Sequence, residues 1–456
     1  MWLMTLALAA AEPTTLPVSL DPAGPYLILV SARAEKASPQ ALTQALELHP
    51  RAIRGRLDLP ELAQASKLLE RHRPHFTLVV LMPDELDANL AWKWLERTAG
   101  VDSDPFVDTR TGFLTAPQAS AYFQRLTDVL AGRERVPGIL VDNLGPMSQG
   151  LKSGQLQTSR SSFFLRALKG LQVITLSHGP GKPPAAALES MSTAGVLHLG
   201  GHGVPDRVTE GMTASQVGQL QLPPAFVFNG CCYGGVTGRY YEAGRWQTAG
   251  TSFCLALLGR RPLAYFASLH PDHGMPVYQE IERLAWQGGS AGSLIKATHD
   301  EVILALGSAD MPILKSGQPP SWTPGQLMLY GTASRVLFGD PAVVLGLPQV
   351  PAPLSLAPGE VRVQNPALAA SLTDTFAGDL CSTPNMFNAR AVFLLSGQQG
   401  PVKITGVRVG QRALRFRVVG QAVELGKGLH VQVDCESTGM FRSPFFSRRS
   451  RILWQK

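Results

Sequence analysis

The chain has 456 residues, of which 45% are hydrophobic, and a formal net charge of +7. That length predicts two or three domains with ample apolar material for a core. Its basic residues are scattered until Arg442 and Ser447–Arg451, with no aromatic–basic interleaving, so a nucleic-acid partner is not expected. Residues 1–11 form a short apolar run ending in Ala9–Ala11. The run is too short to span a bilayer but suits the apolar core of a secretory signal. It lacks the usual basic start. The signal-like run predicts a secreted, periplasmic or cell-surface location, and no other run is long enough to cross a membrane. Residues 12–24 are Pro-rich and extended. Tyr26–Ser31 reads as a first buried strand. Pro39–Leu48 and Leu59–Arg71 read as amphipathic helices, with Asp58 as a cap for the second. Phe76–Met82 is a strand, Asp84–Ala99 a helix and residues 102–108 an acidic loop. Pro117–Leu130 is a helix and Gly138–Val141 a strand. Residues 142–162 are rich in Gly and Ser and predict a mobile loop or a joint between subdomains. Gln172–Leu176, Gly195–Leu199, Ala225–Phe228 and Leu263–Ala267 continue the strand series, with helices between. This alternation predicts an α/β fold, a mainly parallel sheet flanked by helices on both faces. Beyond Leu347 the pattern changes. Pro348, Pro351, Pro353 and Pro358 mark a linker, and residues 358–456 show apolar strands alternating with Gly turns. That pattern predicts a C-terminal all-β, immunoglobulin-like sandwich.

Two motifs carry the chemistry. Gly201-His202-Gly203 follows the apolar run at 195–199, and Asn229-Gly230-Cys231-Cys232-Tyr233-Gly234 follows the run at 225–228. In open α/β sheets, sites form beyond the carboxyl ends of such strands. A histidine and a cysteine at two strand ends supply a thiol nucleophile and its base. An ordinary thiol is mostly protonated at neutral pH, and a neighbouring imidazole makes its thiolate accessible. Gly203 lets the backbone approach a substrate and offers an N–H to a developing oxyanion, with the Cys231 N–H as a second donor. Gly230 and Gly234 allow the tight turn expected to lift the Cys231 thiol clear of the sheet. Cys232, one residue on, points elsewhere and packs. Cys254 lies in an apolar helical stretch and reads as core. Strand alternation places His198 inside.

The order of these segments resembles the caspase-like cysteine peptidases, and within them the gingipain type. Leu222–Cys231 is similar to that family's nucleophile strand, and Arg261–Ser268 to the strand after it. Leu337-Phe338-Gly339-Asp340-Pro341 resembles the close of its catalytic domain. Asp102–Asp108, with Gly112 and Phe113, resembles its acidic loop and following strand. The resemblance covers residues 25–347. It implies a secreted thiol protease without a cofactor or a metal, acting on protein or peptide substrates, followed by a β-sandwich. It implies Cys231 as nucleophile, His202 as base and Asp108 as the acid that orients the imidazole, with Asp104 second. His198 and His202 also match the His-x-x-x-His-Gly pattern of a related caspase-like group, in which His198 would position the loop. Members that cut after Arg or Lys hold an acid about ten residues beyond Asp108. Gln118, Ala119 and Ser120 stand in that region here, so basic-residue specificity is not expected. Asp206, Glu210 and His270 are candidate substrate-binding residues. Two other functions remain open: a silent caspase-like protein that binds a partner, and a redox protein using Cys231 and Cys232. His270-Pro271-Asp272-His273 lacks a third ligand at a familiar metal spacing.

Overall fold

The computed structural model of the chain describes residues 14–101, 107–143, 171–176, 185–208, 211–272, 280–281, 284, 289–306 and 309–347, with short strands beyond. The apolar runs form one ten-stranded sheet. In chain order its strands are β1 (Tyr26–Ser31), β2 (Ile53–Leu57), β3 (Phe76–Leu81), β4 (Arg110–Thr115) and β5 (Ile139–Asn143). They continue as β6 (Gln172–Leu176), β7 (Val196–Leu199), β8 (Phe226–Asn229), β9 (Ala264–Ser268) and β10 (Arg335–Gly339). The spatial order is β2-β1-β3-β4-β10-β9-β8-β7-β5-β6. The sheet is mainly parallel, and β10 runs antiparallel to β9.

Helices cover both faces, and alternate strand residues feed two cores. Ile28, Val30, Leu78 and Val80 pack with Pro39–Leu48 and Ala116–Leu130 through Ala41, Ala45, Phe123 and Leu126. Leu27, Leu29, Val79 and Leu81 pack on the other face with Leu69, Trp92, Leu95 and Leu257. This double burial explains why the strands read as unbroken apolar runs.

Most expected elements lie within a few residues of their positions. The helix expected from Leu59 begins at Ala63. Asp58 still caps it, because its carboxylate accepts the N–H groups of Gln64 (2.9 Å) and Ala65 (3.2 Å). The helix expected from Asp84 begins at Ala88. Pro83–Glu85 instead form a short 3-10 turn, and Asp87 accepts the Leu90 N–H at 2.9 Å. Beyond residue 347, Ala389–Leu395, Leu414–Val418 and Leu429–Ser437 are strands with antiparallel neighbours. The packing of residues 358–456 into a sandwich lies outside the described residues, as do the signal-like segment 1–11 and nearly all of the loop or joint expected at 142–162.

Two contacts orient the sheet. Thr237 Oγ1, on the loop after β8, donates to Pro83 O, just after β3, at 2.7 Å. The carboxyl ends of β8 and β3 therefore share one edge. Tyr26 OH, at the start of β1, donates to Asp340 Oδ1 at 2.8 Å, so β10 ends at the opposite, amino edge. Its first residue, Arg335, stands beside Ser268 at the carboxyl edge.

Candidate active site at the carboxyl edge

β7 and β8 are parallel neighbours, with Leu199 beside Asn229. The Gly230 N–H donates to Leu199 O at 2.8 Å, which extends the pairing past the strand ends. The two motifs therefore leave the sheet side by side. A Cβ on Gly203 would stand 2.4 Å from Cys232 O and 2.8 Å from Cys231 Cβ. Only glycine fits there, and the His-Gly turn packs directly on the cysteine turn. His202 is exposed, whereas Cys231 is fully buried. The thiol expected clear of the sheet instead lies beneath the backbone around Gly203. Glycines at 230 and 234 tighten the turn without raising it.

Asn229 builds that turn. Its Oδ1 accepts the Cys231 N–H at 2.8 Å, and its Nδ2 donates to Tyr265 OH at 2.8 Å. Tyr265 OH in turn donates to Gly234 O at 2.6 Å. A Cβ on Gly234 would fall 2.3 Å from Asn229 Nδ2, so the close approach of this backbone needs glycine. Tyr233, between the cysteines and Gly234, takes a φ of +57°, a conformation that costs a bulky side chain energy. One expectation is corrected here. The Cys231 N–H is committed to Asn229, so it is not a waiting oxyanion donor in this conformation.

Cys232 is the more accessible of the pair. Its Sγ–H donates to Asp272 O at 3.3 Å. Burial, followed by the nearby Asp272 charge, pushes its pKa up to about 11, so this thiol stays protonated at neutral pH. Beneath the turn lies a buried ionic cluster. Arg335 Nη1 donates to Asn229 O at 2.7 Å. Its Nε and Nη2 grip the two oxygens of Glu280 at 2.7 and 2.8 Å. Asp272 Oδ2 stands 3.6 Å from Nη1 and accepts the Ser268 hydroxyl. Burial pushes the Glu280 carboxyl upward, against the opposing pull of Arg335. The guanidinium thereby ties the end of β8 to the loop after β9.

The other candidates scatter. His198 is buried, and its Nδ1 lies 2.6 Å from Asp142 Oδ1 on the neighbouring strand. Asp108 is not brought to the dyad. Its N–H donates to Thr98 O, and Arg110 N–H donates to His75 O just before β3. This is the amino edge, a full strand length from the loops after β7 and β8; six residues of strand span about 20 Å. Asp206 is exposed near Arg207, with 3.8 Å between its Oδ1 and Arg207 Nε. Glu210 lies outside the described residues. Ala119 is buried, and Gln118 Oε1 accepts the Thr115 hydroxyl at 2.6 Å. His270 is buried among aromatic rings, and its desolvated imidazole is pushed down to about 4. Among the described residues, no group of three or more His, Cys, Asp or Glu is placed to hold a metal ion. No described helix is long and apolar enough to cross a membrane. Sequence reasoning missed Asn229, Tyr265, Arg335 and Asp142. The Asn-Gly pair before Cys231 and a tyrosine inside an apolar run were the available signals.

No family model and no curated protein matches this chain. Solved structures do. The chain is similar to the Arg-specific cysteine proteinase gingipain R, at 11% identity over 90% of this chain and 91% of that one, with a TM-score of 0.49. It is similar to a complex of the RgpB pro- and mature domains of Porphyromonas gingivalis, at 12% identity over 90% and 93%, with a TM-score of 0.49. A third structure, described only as a protease, aligns at 10% identity over 92% of both chains, with a TM-score of 0.47.

Proposed function

We propose that this chain is a secreted cysteine endopeptidase of caspase-like, gingipain-type architecture, with Cys231 as nucleophile and His202 as base. The observation that carries the reading is the packing of Gly203 on Cys231 at the ends of adjacent parallel strands. It makes the turn that bears His202 the wall of the Cys231 site. The raised pKa of Cys232 weighs against that residue as the thiolate. In the cycle, the His202 imidazole takes the Cys231 proton and the sulfur attacks the peptide carbonyl carbon. The Gly203 N–H stabilises the oxyanion. Collapse breaks the C–N bond as His202 returns the proton to the leaving amine. Water, deprotonated by the same imidazole, then hydrolyses the thioester and restores the thiol. Because Cys231 is buried, the cycle begins with the Gly201–Val204 turn moving off the thiol. The Asp142–His198 pair, at the same edge, supports the loop from below.

Hydrolysis of an unfolded protein substrate tests this reading. Cys231→Ala should abolish it, and Cys232→Ser should retain most of it. Loss of activity only in the Cys232 variant would overturn the assignment. The burial of Cys231 favours a second reading, a silent caspase-like protein that binds a partner. Under it, neither variant nor parent would hydrolyse any peptide.

A further inference from the structure

A cluster of rings adjoins the cysteine turn at the carboxyl edge. The Tyr233 ring, one residue past Cys232, meets the edge of His270 at a centroid distance of 6.2 Å. His270 meets Trp92 at 5.8 Å and Trp322 at 6.0 Å, both edge to face. Trp322 lies 4.5 Å from Tyr330 and 5.6 Å from Trp92. Trp92 and His270 are buried, while Trp322 and Tyr330 are only half-buried. The cluster is therefore closed on the Trp92 and His270 side and reaches the surface at Trp322 and Tyr330.

Two of its polar atoms are engaged within the protein. Trp92 Nε1 donates to Tyr330 O at 3.0 Å, and Tyr233 OH donates to Tyr241 O at 3.2 Å. His270 is different because it is buried. It is 3% exposed, yet among the described residues neither ring nitrogen has a hydrogen-bond partner. A neutral imidazole carries one donor and one acceptor, and leaving such groups buried and unmade is costly. A folded chain that keeps this arrangement beside a reactive turn has a pair of hydrogen bonds in reserve. Charge also discriminates. The acid nearest in sequence, Asp272, is committed to Ser268 and Arg335. Among the described residues, the other carboxylate whose charge reaches the cluster is Glu242, beside Tyr233; it is exposed, so water screens it from a basic side chain on the rings.

We propose that Trp92, Tyr233, His270, Trp322 and Tyr330 form the side-chain pocket of this site, and that it takes tyrosine immediately before the cleaved bond. The ring packs on the half-buried Trp322 and Tyr330 rings, since aromatic pairs favour offset and edge-to-face contacts. The phenol hydroxyl reaches one ring nitrogen of His270 and satisfies that nitrogen. Phenylalanine fills the same space but leaves the imidazole unpaired, so the pocket distinguishes the two. This proposal rests on the peptidase reading for the place of the side chain, not for its chemistry.

Binding separates the two claims. Acetylated tripeptide amides ending in Tyr, Phe, Leu, Arg or Asp are titrated into the Cys231→Ala protein and followed by tryptophan fluorescence and calorimetry. The Tyr peptide should bind about tenfold more tightly than the Phe peptide, the worth of one hydrogen bond of roughly 1.4 kcal/mol. Phe should exceed Arg and Asp. His270→Phe should erase the Tyr-over-Phe margin while keeping aromatic preference, and Trp322→Ala, where the cluster reaches the surface, should weaken both. Thermal melts confirm that each variant is folded. Equal or tighter binding of the Arg or Asp peptide, or no binding of any peptide, overturns the pocket. Cleavage by the unaltered chain is read separately. Tyr preference without hydrolysis keeps the pocket and refutes the peptidase. Hydrolysis with a basic preference does the reverse.

Discussion

Asn229→Ala is the perturbation whose cost follows most directly from the structure. The side chain is fully buried and makes two hydrogen bonds of 2.8 Å, one to the Cys231 N–H and one to Tyr265 OH. Two neutral bonds contribute about 1 kcal/mol each, and the stranded Cys231 N–H costs about 1–3 kcal/mol more. The variant should lose about 3–5 kcal/mol, a large share of a typical domain's stability. Tyr265→Phe removes the partner of Asn229 Nδ2 and the donor to Gly234 O, and should cost about 2 kcal/mol. The shared bond is lost only once in the double variant, so the cycle should show a coupling of about 1 kcal/mol. Guanidinium denaturation measures these values. Alkylation of native protein by iodoacetamide, read at Cys231, reports the turn itself and should quicken in both single variants. A stability within about 0.5 kcal/mol of the parent, with an unchanged alkylation rate, would refute Asn229 as the builder of the turn.

Other outcomes follow from the same contacts. Arg335→Met should cost about 3–5 kcal/mol by leaving Glu280 buried without its partner, and Arg335→Met with Glu280→Leu should recover part of it in the same denaturation assay. Gly203→Ala should abolish turnover and lower the melting temperature, because its Cβ would meet Cys232 O at 2.4 Å; a fully active variant would separate the two turns. Stability should fall with pH between about 6.5 and 4. His270 and His299 are both held down to about 4 by burial, so the unfolded chain binds protons that the folded chain refuses. Stability is complete above the unfolded value near 6.5 and is lost as pH falls toward the folded value, by up to about 3 kcal/mol per histidine. Denaturation midpoints across that range check it, and His270→Phe should flatten the slope.

The strand series and both turns were legible in the sequence because each strand is buried on two faces and bounded by glycine. The adjacency of the His-Gly turn and the cysteine turn followed from the same rule, since sites gather at carboxyl ends. What failed was depth and edge. Nothing in the Gly230–Gly234 spacing says whether a thiol rises above the turn or sinks beneath a neighbouring one. That is decided by Asn229 and Tyr265, thirty-six positions apart in the chain, which fold the turn inward. Asp108 was expected because the segment from Asp102 to Phe113 resembles the acidic loop and following strand of the gingipain type. A residue before a parallel strand stands at the amino edge, however, while His202 and Cys231 follow theirs. Arg335 was invisible because its partners come from three separate segments, and an arginine at the start of a strand gives no local sign of complete burial.

The most direct measurement is to treat the native protein with a peptide bearing a thiol-reactive acyloxymethyl ketone, digest it and locate the modified residue by mass spectrometry. The account predicts modification at Cys231, dependent on His202 and abolished in His202→Ala, with Cys232 and Cys254 untouched. Modification at Cys232 alone, or labelling of Cys231 that persists undiminished without His202, would contradict it.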